Sequence, residues 1–164
     1  MKTALVIELA NLPEEGKSFE GELDPALYDL PKRDAKPAGP LYYDLHVQRF
    51  ENELLVRGFL SSAFEFVCVR TNKEFIKTIS IEEFANSFEI DSGNVDLTEA
   101  LREEVLMAFP AYPRCDEADE PLECKIDERY LAVDKDPNDG VDEAPQSTSD
   151  DRWDALDQLD QFKD

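Results

Sequence analysis

Residues 63–70 read Ala63-Phe64-Glu65-Phe66-Val67-Cys68-Val69-Arg70, with Phe64, Phe66 and Cys68 on one parity and Glu65, Val67 and Val69 on the other. Successive side chains of a strand point to opposite faces, so this alternation predicts a strand with one face in a core. Working outward, residues 42–50 and 53–60 read as two earlier strands joined by the turn pair Glu51-Asn52. Residues 75–84 read as a later strand beyond the turn-compatible triplet Thr71-Asn72-Lys73. In it Phe75, Ile79 and Ile81 fall on one side, with Lys77 the exception. Connections this short imply antiparallel neighbours, hence a meander.

The period then changes. Leu97, Leu101, Val105 and Ala108 recur at helical spacing, Asp96 followed by Glu99 matches a capping box, and Pro110 closes the segment. A main helix is therefore expected over residues 96–108, packed across one face of the sheet. Residues 3–9 predict a first strand, rich in aliphatic and β-branched side chains. Residues 13–40 carry Pro13, Gly16, Gly21, Pro25, Pro31, Pro37, Gly39 and Pro40 and read as an irregular excursion with a short turn near residues 26–30. The expected fold class is α+β, an antiparallel β-meander of four to six strands packed by one main helix. An acidic, partly disordered C-terminal region ending in a short helix follows it.

The charge separates the chain into halves. Of 39 acidic and 17 basic residues, net -22, residues 1–90 hold 16 and 10, and residues 91–164 hold 23 and 7. Such a balance repels phosphate backbones and anionic lipid headgroups, so direct tight nucleic-acid binding and membrane binding are not expected. The start Met1-Lys2-Thr3-Ala4-Leu5-Val6-Ile7-Glu8-Leu9 has no long apolar stretch, and no run approaches the roughly 20 apolar residues of a membrane span. A cytoplasmic location is expected, and an odd count of three cysteines agrees with a reducing compartment. The organisation reads as an α+β domain over residues 1–113, an acidic mobile linker over 114–148 and an amphipathic helix over 149–164. In that helix Trp153, Leu156, Leu159 and Phe162 form one stripe among Asp151, Asp154, Asp157 and Asp160. The stripe fits either a partner's groove or the protein's own sheet.

Catalytic constellations are sparse. His46 is the one histidine and sits in a predicted strand, and the six glycines form no G-x-G loop for a phosphate. Carboxylates are too abundant for any one pair to stand out. No catalytic residues are assigned and no enzymatic activity is expected. Tetrahedral zinc wants four ligands, commonly in C-x₂₋₄-C knuckles, whereas Cys68 has no near cysteine neighbour and Cys115 and Cys124 are eight residues apart. The cysteines read as one small core hydrophobe and two loop thiols, with no cofactor. A structural zinc protein, with stoichiometric metal on these cysteines, is the competing reading.

Four segments together carry a resemblance. They are Cys68-Val69-Arg70-Thr71, Val95-Asp96-Leu97-Thr98-Glu99, the run Glu103-Glu104-Val105-Leu106-Met107-Ala108-Phe109-Pro110-Ala111-Tyr112-Pro113-Arg114-Cys115, and Asp150-Asp151-Arg152-Trp153-Asp154-Ala155-Leu156. In this order the chain, from about Leu54 onward, resembles the bacterial YceD family, large ribosomal RNA subunit accumulation proteins. Many members carry a C-x-R-C pair and a later cysteine cluster suggestive of zinc. Here Thr71 stands at the second cysteine position and only Cys115 and Cys124 follow, which implies a site that has lost its metal. Asp151 stands where the terminal Asp-Pro-Arg motif has proline, while Asp150 and Arg152 agree.

The resemblance implies a role in synthesis, processing or stability of the large-subunit (23S) ribosomal RNA, without an established catalytic activity. Joined to the charge, it predicts a non-enzymatic accessory factor in ribosome biogenesis that binds a basic ribosomal protein or RNA-processing factor. Asp150, Arg152, Trp153, Leu156, Leu159 and Phe162 are the expected partner-binding residues. The alternative is an acidic inhibitor or nucleic-acid mimic that blocks a basic nuclease or DNA-binding protein.

Overall fold

The computed structural model describes residues 1–31 and 35–130. Among the described residues, seven strands run in chain order: β1 (Val6–Glu8), β2 (Lys17–Leu23), β3 (Ala35–Pro37), β4 (Leu41–Phe50), β5 (Glu53–Val67), β6 (Glu74–Glu89) and β7 (Asn94–Asp96). The helix α1 (Thr98–Met107) follows. The chain divides into a compact unit, Met1–Asp127, and a second, Glu128–Asp164, whose described part is a 3-10 turn over Glu128–Tyr130. The expected terminal helix, with Asp150, Arg152, Trp153, Leu156, Leu159 and Phe162, lies outside the described residues.

The antiparallel meander β4-β5-β6 is the centre of a five-stranded sheet, and β2 extends it beyond β4. Alternation places Leu41, Tyr43, Leu45 and Val47 of β4 and Leu54, Val56, Leu60, Phe64 and Phe66 of β5 in one core. Residues 53–60 and 63–70, expected as two strands, form the single strand β5, which ends at Val67. The polar pair Ser61-Ser62 does not interrupt it, because Ser62 faces inward and donates its hydroxyl to the Pro40 carbonyl at 3.3 Å.

A register shift between Gly58 and Leu60 gives β6 one extra residue opposite β5. The parity of β6 therefore flips, so that Phe75 and Ile79 before the bulge and Phe84 after it all reach the core. Gly58 is required there by close approach. A Cβ on it would run into the Asp44 carbonyl oxygen of β4.

Residues 13–40, expected as an irregular excursion, contain β2, a 3-10 turn over Pro25–Tyr28 and β3. β2 pairs with β4 over Lys17↔Val47 to Leu23↔Leu41. β3 pairs with the far end of β5, Ala35↔Phe66 to Pro37↔Phe64, on the edge that β4 occupies lower down. The Pro37 to Pro40 break separates β3 from β4, since proline cannot donate to a ladder. Proline and glycine density had hidden strands whose partners are supplied from elsewhere in the chain.

α1 starts two residues later than expected. Asp96 accepts from the Thr98 backbone N–H at 2.9 Å and its hydroxyl at 2.6 Å, while Glu99 pairs forward with Arg102 at 2.7 Å instead of reaching back. The residues just before the helix form β7 and pair with β1, Val6↔Asp96 to Glu8↔Asn94. Leu97, Leu101 and Val105 are buried. Burial of each such side chain contributes about 1.5–3 kcal/mol. Beyond the helix, Phe109 meets Phe64 edge-on at 4.7 Å, and Phe64 meets Tyr28 at 4.8 Å, so helix end, sheet and 3-10 turn share one aromatic cluster.

The segment after Pro113, expected as mobile linker from residue 114, belongs to the compact unit as far as Asp127. Cys115 and Ala118 are buried. Small side chains carry that burial, so hydropathy along the segment did not announce it. No helix among the described residues is long and apolar enough to cross a membrane.

Candidate thiol centre

Strand alternation continues one residue past β5, so Cys68 points into the core after Phe64 and Phe66. There the chain turns tightly. Cys68 donates its N–H to the Lys73 carbonyl at 2.8 Å, Asn72 donates to the Cys68 carbonyl at 2.9 Å, and Asn72 takes a left-handed φ of 57° that asparagine tolerates. Thr71 sits inside this turn. Val69 donates to the Pro113 carbonyl at 2.9 Å, which draws the segment following the helix alongside. Cys115 opens a 3-10 turn, Cys115–Glu117, and Leu122 donates to the Cys115 carbonyl at 2.9 Å, folding the chain back so that Cys124 returns to the same place.

The result is convergence of three thiols from well-separated positions. Their Sγ atoms all lie within 4.8 Å of one another. Cys68 Sγ is 3.5 Å from Cys124 Sγ, and Thr71 Oγ1 is 3.6 Å from Cys115 Sγ. Cys68 and Cys115 are buried and Cys124 is half-buried. The two thiols expected in loops lie in a 3-10 turn, Cys115, and in irregular chain, Cys124, and both meet Cys68 in one cluster.

The surroundings treat these sulfurs as more than apolar filler. Burial pushes the Cys68 thiol up. Hydrogen bonds from the Thr71 hydroxyl and from the backbone N–H groups of Thr71, Cys115 and Arg70 outweigh burial and bring it down to about 6. Cys124 is pushed up, by burial first and then by its hydrogen bonds to the Cys115 and Cys68 sulfurs. Cys115 Sγ also lies 3.9 Å from the Glu123 carbonyl oxygen. The segment bearing Cys115 is tied down by Arg114, whose Nη2 reaches Glu117 at 2.7 Å, and by Lys77, 3.4 Å from the same carboxylate.

The model of a family described as the large ribosomal RNA subunit accumulation protein YceD matches residues 56–160. The chain belongs to the YceD family. The matched span starts in β5 and takes in β6, α1 and all three cysteines, so the thiol centre lies within the YceD region while β1 to β4 precede it. No curated protein and no solved structure matches the chain.

Sequence reasoning named Cys68, Cys115 and Cys124 but not their meeting, and it treated Thr71 as the mark of a lost ligand. The signal that was available is the local one. A Cys-x-x-Thr-Asn turn with a left-handed asparagine after it has the shape of a metal-binding knuckle with oxygen in place of the second sulfur. His46, by contrast, sits on the exposed side of β4, 3.3 Å from the Ser18 hydroxyl.

Proposed function

We propose that this YceD-family protein is a non-enzymatic accessory factor that supports accumulation of large-subunit (23S) ribosomal RNA, acting on its synthesis, processing or stability through a basic protein partner. The observation that carries the reading is the family match over residues 56–160. The charge directs how the role is played. A chain of net -22 pays a Coulomb penalty at every approach to a phosphate backbone, and the same charge draws in a basic ribosomal protein or RNA-processing factor. The excess lies in residues 91–164, with 23 acids to 7 bases, so that half meets the partner. Asp150, Arg152, Trp153, Leu156, Leu159 and Phe162 combine acidic surroundings with one apolar stripe, the composition an interaction helix needs.

Depletion of the protein tests the role, with large- and small-subunit ribosomal RNA quantified together. A fall in the large-subunit species relative to the small one is the expected result, and an unchanged ratio overturns the reading. Affinity capture of the full chain at low and high salt tests the partner. Basic ribosomal or RNA-processing proteins retained at low salt and released at high salt support it. A catch of nucleases or DNA-binding proteins instead favours the inhibitor reading.

A further inference from the structure

We infer that the outer edge of β6, from Ser80 to Glu89, takes an extended, lysine- or arginine-rich segment of another protein as an added strand. β6 pairs with β5 on one side, and beyond Thr78 no other segment among the described residues pairs with its far side. Near the start of the strand that edge is already taken. The Ile76 carbonyl accepts from the Asp119 N–H, and the Thr78 N–H donates to the Asp119 carboxylate. These two residues therefore face outward, and strand alternation makes Ser80 the next to do so. The extra residue opposite Phe59 then shifts the parity, so that Ala85, Ser87 and Glu89 face outward while the Ile90 N–H turns back to the Asn52 carbonyl. The Asn86 side chain occupies the Ser87 N–H at 2.9 Å. Ser80, Ala85 and Glu89 present backbone groups that have no partner among the described residues. A row of such groups is a template for one more strand.

Charge decides the occupant. Residues 78–101 hold Glu82, Glu83, Glu89, Asp91, Asp96 and Glu99 and no lysine or arginine. Glu82, Glu83 and Glu89 are exposed along the edge, and Arg57, opposite Ala85, lies one strand inward. At its end the edge opens into a groove of about 470 Å³ lined by Ser87, Glu89, Asp91, Asn94 and Asp96. A second copy of this chain would bring carboxylates against carboxylates, and like charges on facing strands destabilise the pair. A strand bearing lysine or arginine turns the same positions into opposite-charge pairs, and a basic side chain past its end reaches the acidic groove. The backbone supplies the affinity and the glutamates select the partner.

The test uses the full chain and a synthetic peptide of about ten residues that alternates valine with lysine. One control peptide carries glutamate for lysine, and another keeps the lysines but carries proline for valine, which preserves the charge and cannot form a ladder. With the lysine peptide at about ten times its dissociation constant, hydrogen exchange at the Ser80, Ala85 and Glu89 amides is expected to slow about tenfold, and neither control is expected to slow it. A85P closes the edge without taking a bond from β5, because the Ala85 N–H faces away from that strand. E83K combined with E89K leaves the backbone alone and reverses the charge. Each is expected to weaken binding of the lysine peptide about tenfold. The glutamate variant alters only exposed side chains, so its result stands even where A85P fails to fold. No slowing by the lysine peptide, equal slowing by the proline peptide, or undiminished affinity in the glutamate variant overturns the inference. So does slow exchange at Ser80 and Ala85 in the chain alone, where a dimer mass marks a second copy on the edge and a monomer mass marks the chain's own later residues. The partner's basic charge is the point shared with the proposed function, and because the peptide measurement involves no ribosomal component, its failure leaves the depletion test standing.

Discussion

Asp119 grips Thr78 with both carboxylate oxygens, Oδ1 accepting from the backbone N–H at 2.8 Å and Oδ2 from the hydroxyl at 2.6 Å. Asp119 in turn donates its own N–H to the Ile76 carbonyl at 3.0 Å. Thr78 lies on β6, which pairs with β5 on its other side, so the acid-rich segment covers part of an open sheet edge. Replacing Asp119 by alanine removes both acceptors at once. The expected outcome is faster hydrogen exchange at the Thr78 amide and a loss of about 1 kcal/mol in denaturant unfolding. Unchanged exchange at Thr78 would show that the contact does not persist in solution.

Gly58 and Gly39 form a matched pair for substitution. A Cβ at Gly58 collides with the Asp44 carbonyl, whereas nothing lies within 4 Å of one at Gly39. Gly58→Ala is expected to destabilise the protein by upwards of about 3 kcal/mol or to prevent folding. Gly39→Ala is expected to stay within about 0.5 kcal/mol. Thermal melts of the two variants side by side separate steric clash at the bulge from a general intolerance of glycine replacement.

Tyr28 is fully buried, and with the neighbouring Ser62 hydroxyl pointed at the Pro40 carbonyl the neutral phenol has no hydrogen-bond partner within bonding distance among the described residues. Burial pushes the phenol up to about 12, with Ser62 offsetting a little of that. A raised folded-state value means the neutral phenol is favoured by the fold, so this contribution is present below the unfolded value near 10 and lost as pH rises toward about 12. Tyr28→Phe removes an unpaired polar group and is expected to be neutral or stabilising by up to about 1 kcal/mol at neutral pH. Unfolding curves collected between pH 9 and pH 12 should fall less steeply for the variant than for the parent. A loss of stability at neutral pH would reveal a partner for the hydroxyl.

Phe64 touches Tyr28, Phe66 and Phe109 and so joins the 3-10 turn, β5 and the end of α1. Phe64→Ala is expected to cost about 3–5 kcal/mol, the range for removing a buried aromatic ring. The measurement is equilibrium unfolding by urea, with near-ultraviolet circular dichroism reporting the aromatic cluster. A cost under 1 kcal/mol would mean that helix and sheet do not depend on this ring.

The meander was readable because its information is local. Residues 42–84 alternate with period two, their turns hold Asn52 and Asn72 in short connections, and the helical period of Leu97, Leu101 and Val105 needs no knowledge of partners. β2 was not readable for the opposite reason. Lys17-Ser18-Phe19-Glu20-Gly21-Glu22-Leu23 has little β-propensity and becomes a strand because β4 offers it an edge. Asp96 shows the middle case, a residue expected to start the helix that instead ends β7 and bonds from there to Thr98, the first residue of α1.

The amino-acid order alone determined the α+β class, an antiparallel meander, the helix, the family resemblance and the acidic second half, all of which follow from neighbours within a few positions or from summed charge. Only the tertiary structure decided that Cys68, Cys115, Cys124 and Thr71 meet. Their approach depends on the Val69–Pro113 and Leu122–Cys115 backbone hydrogen bonds closing loops between distant segments, and no spacing along the chain encodes which loops close.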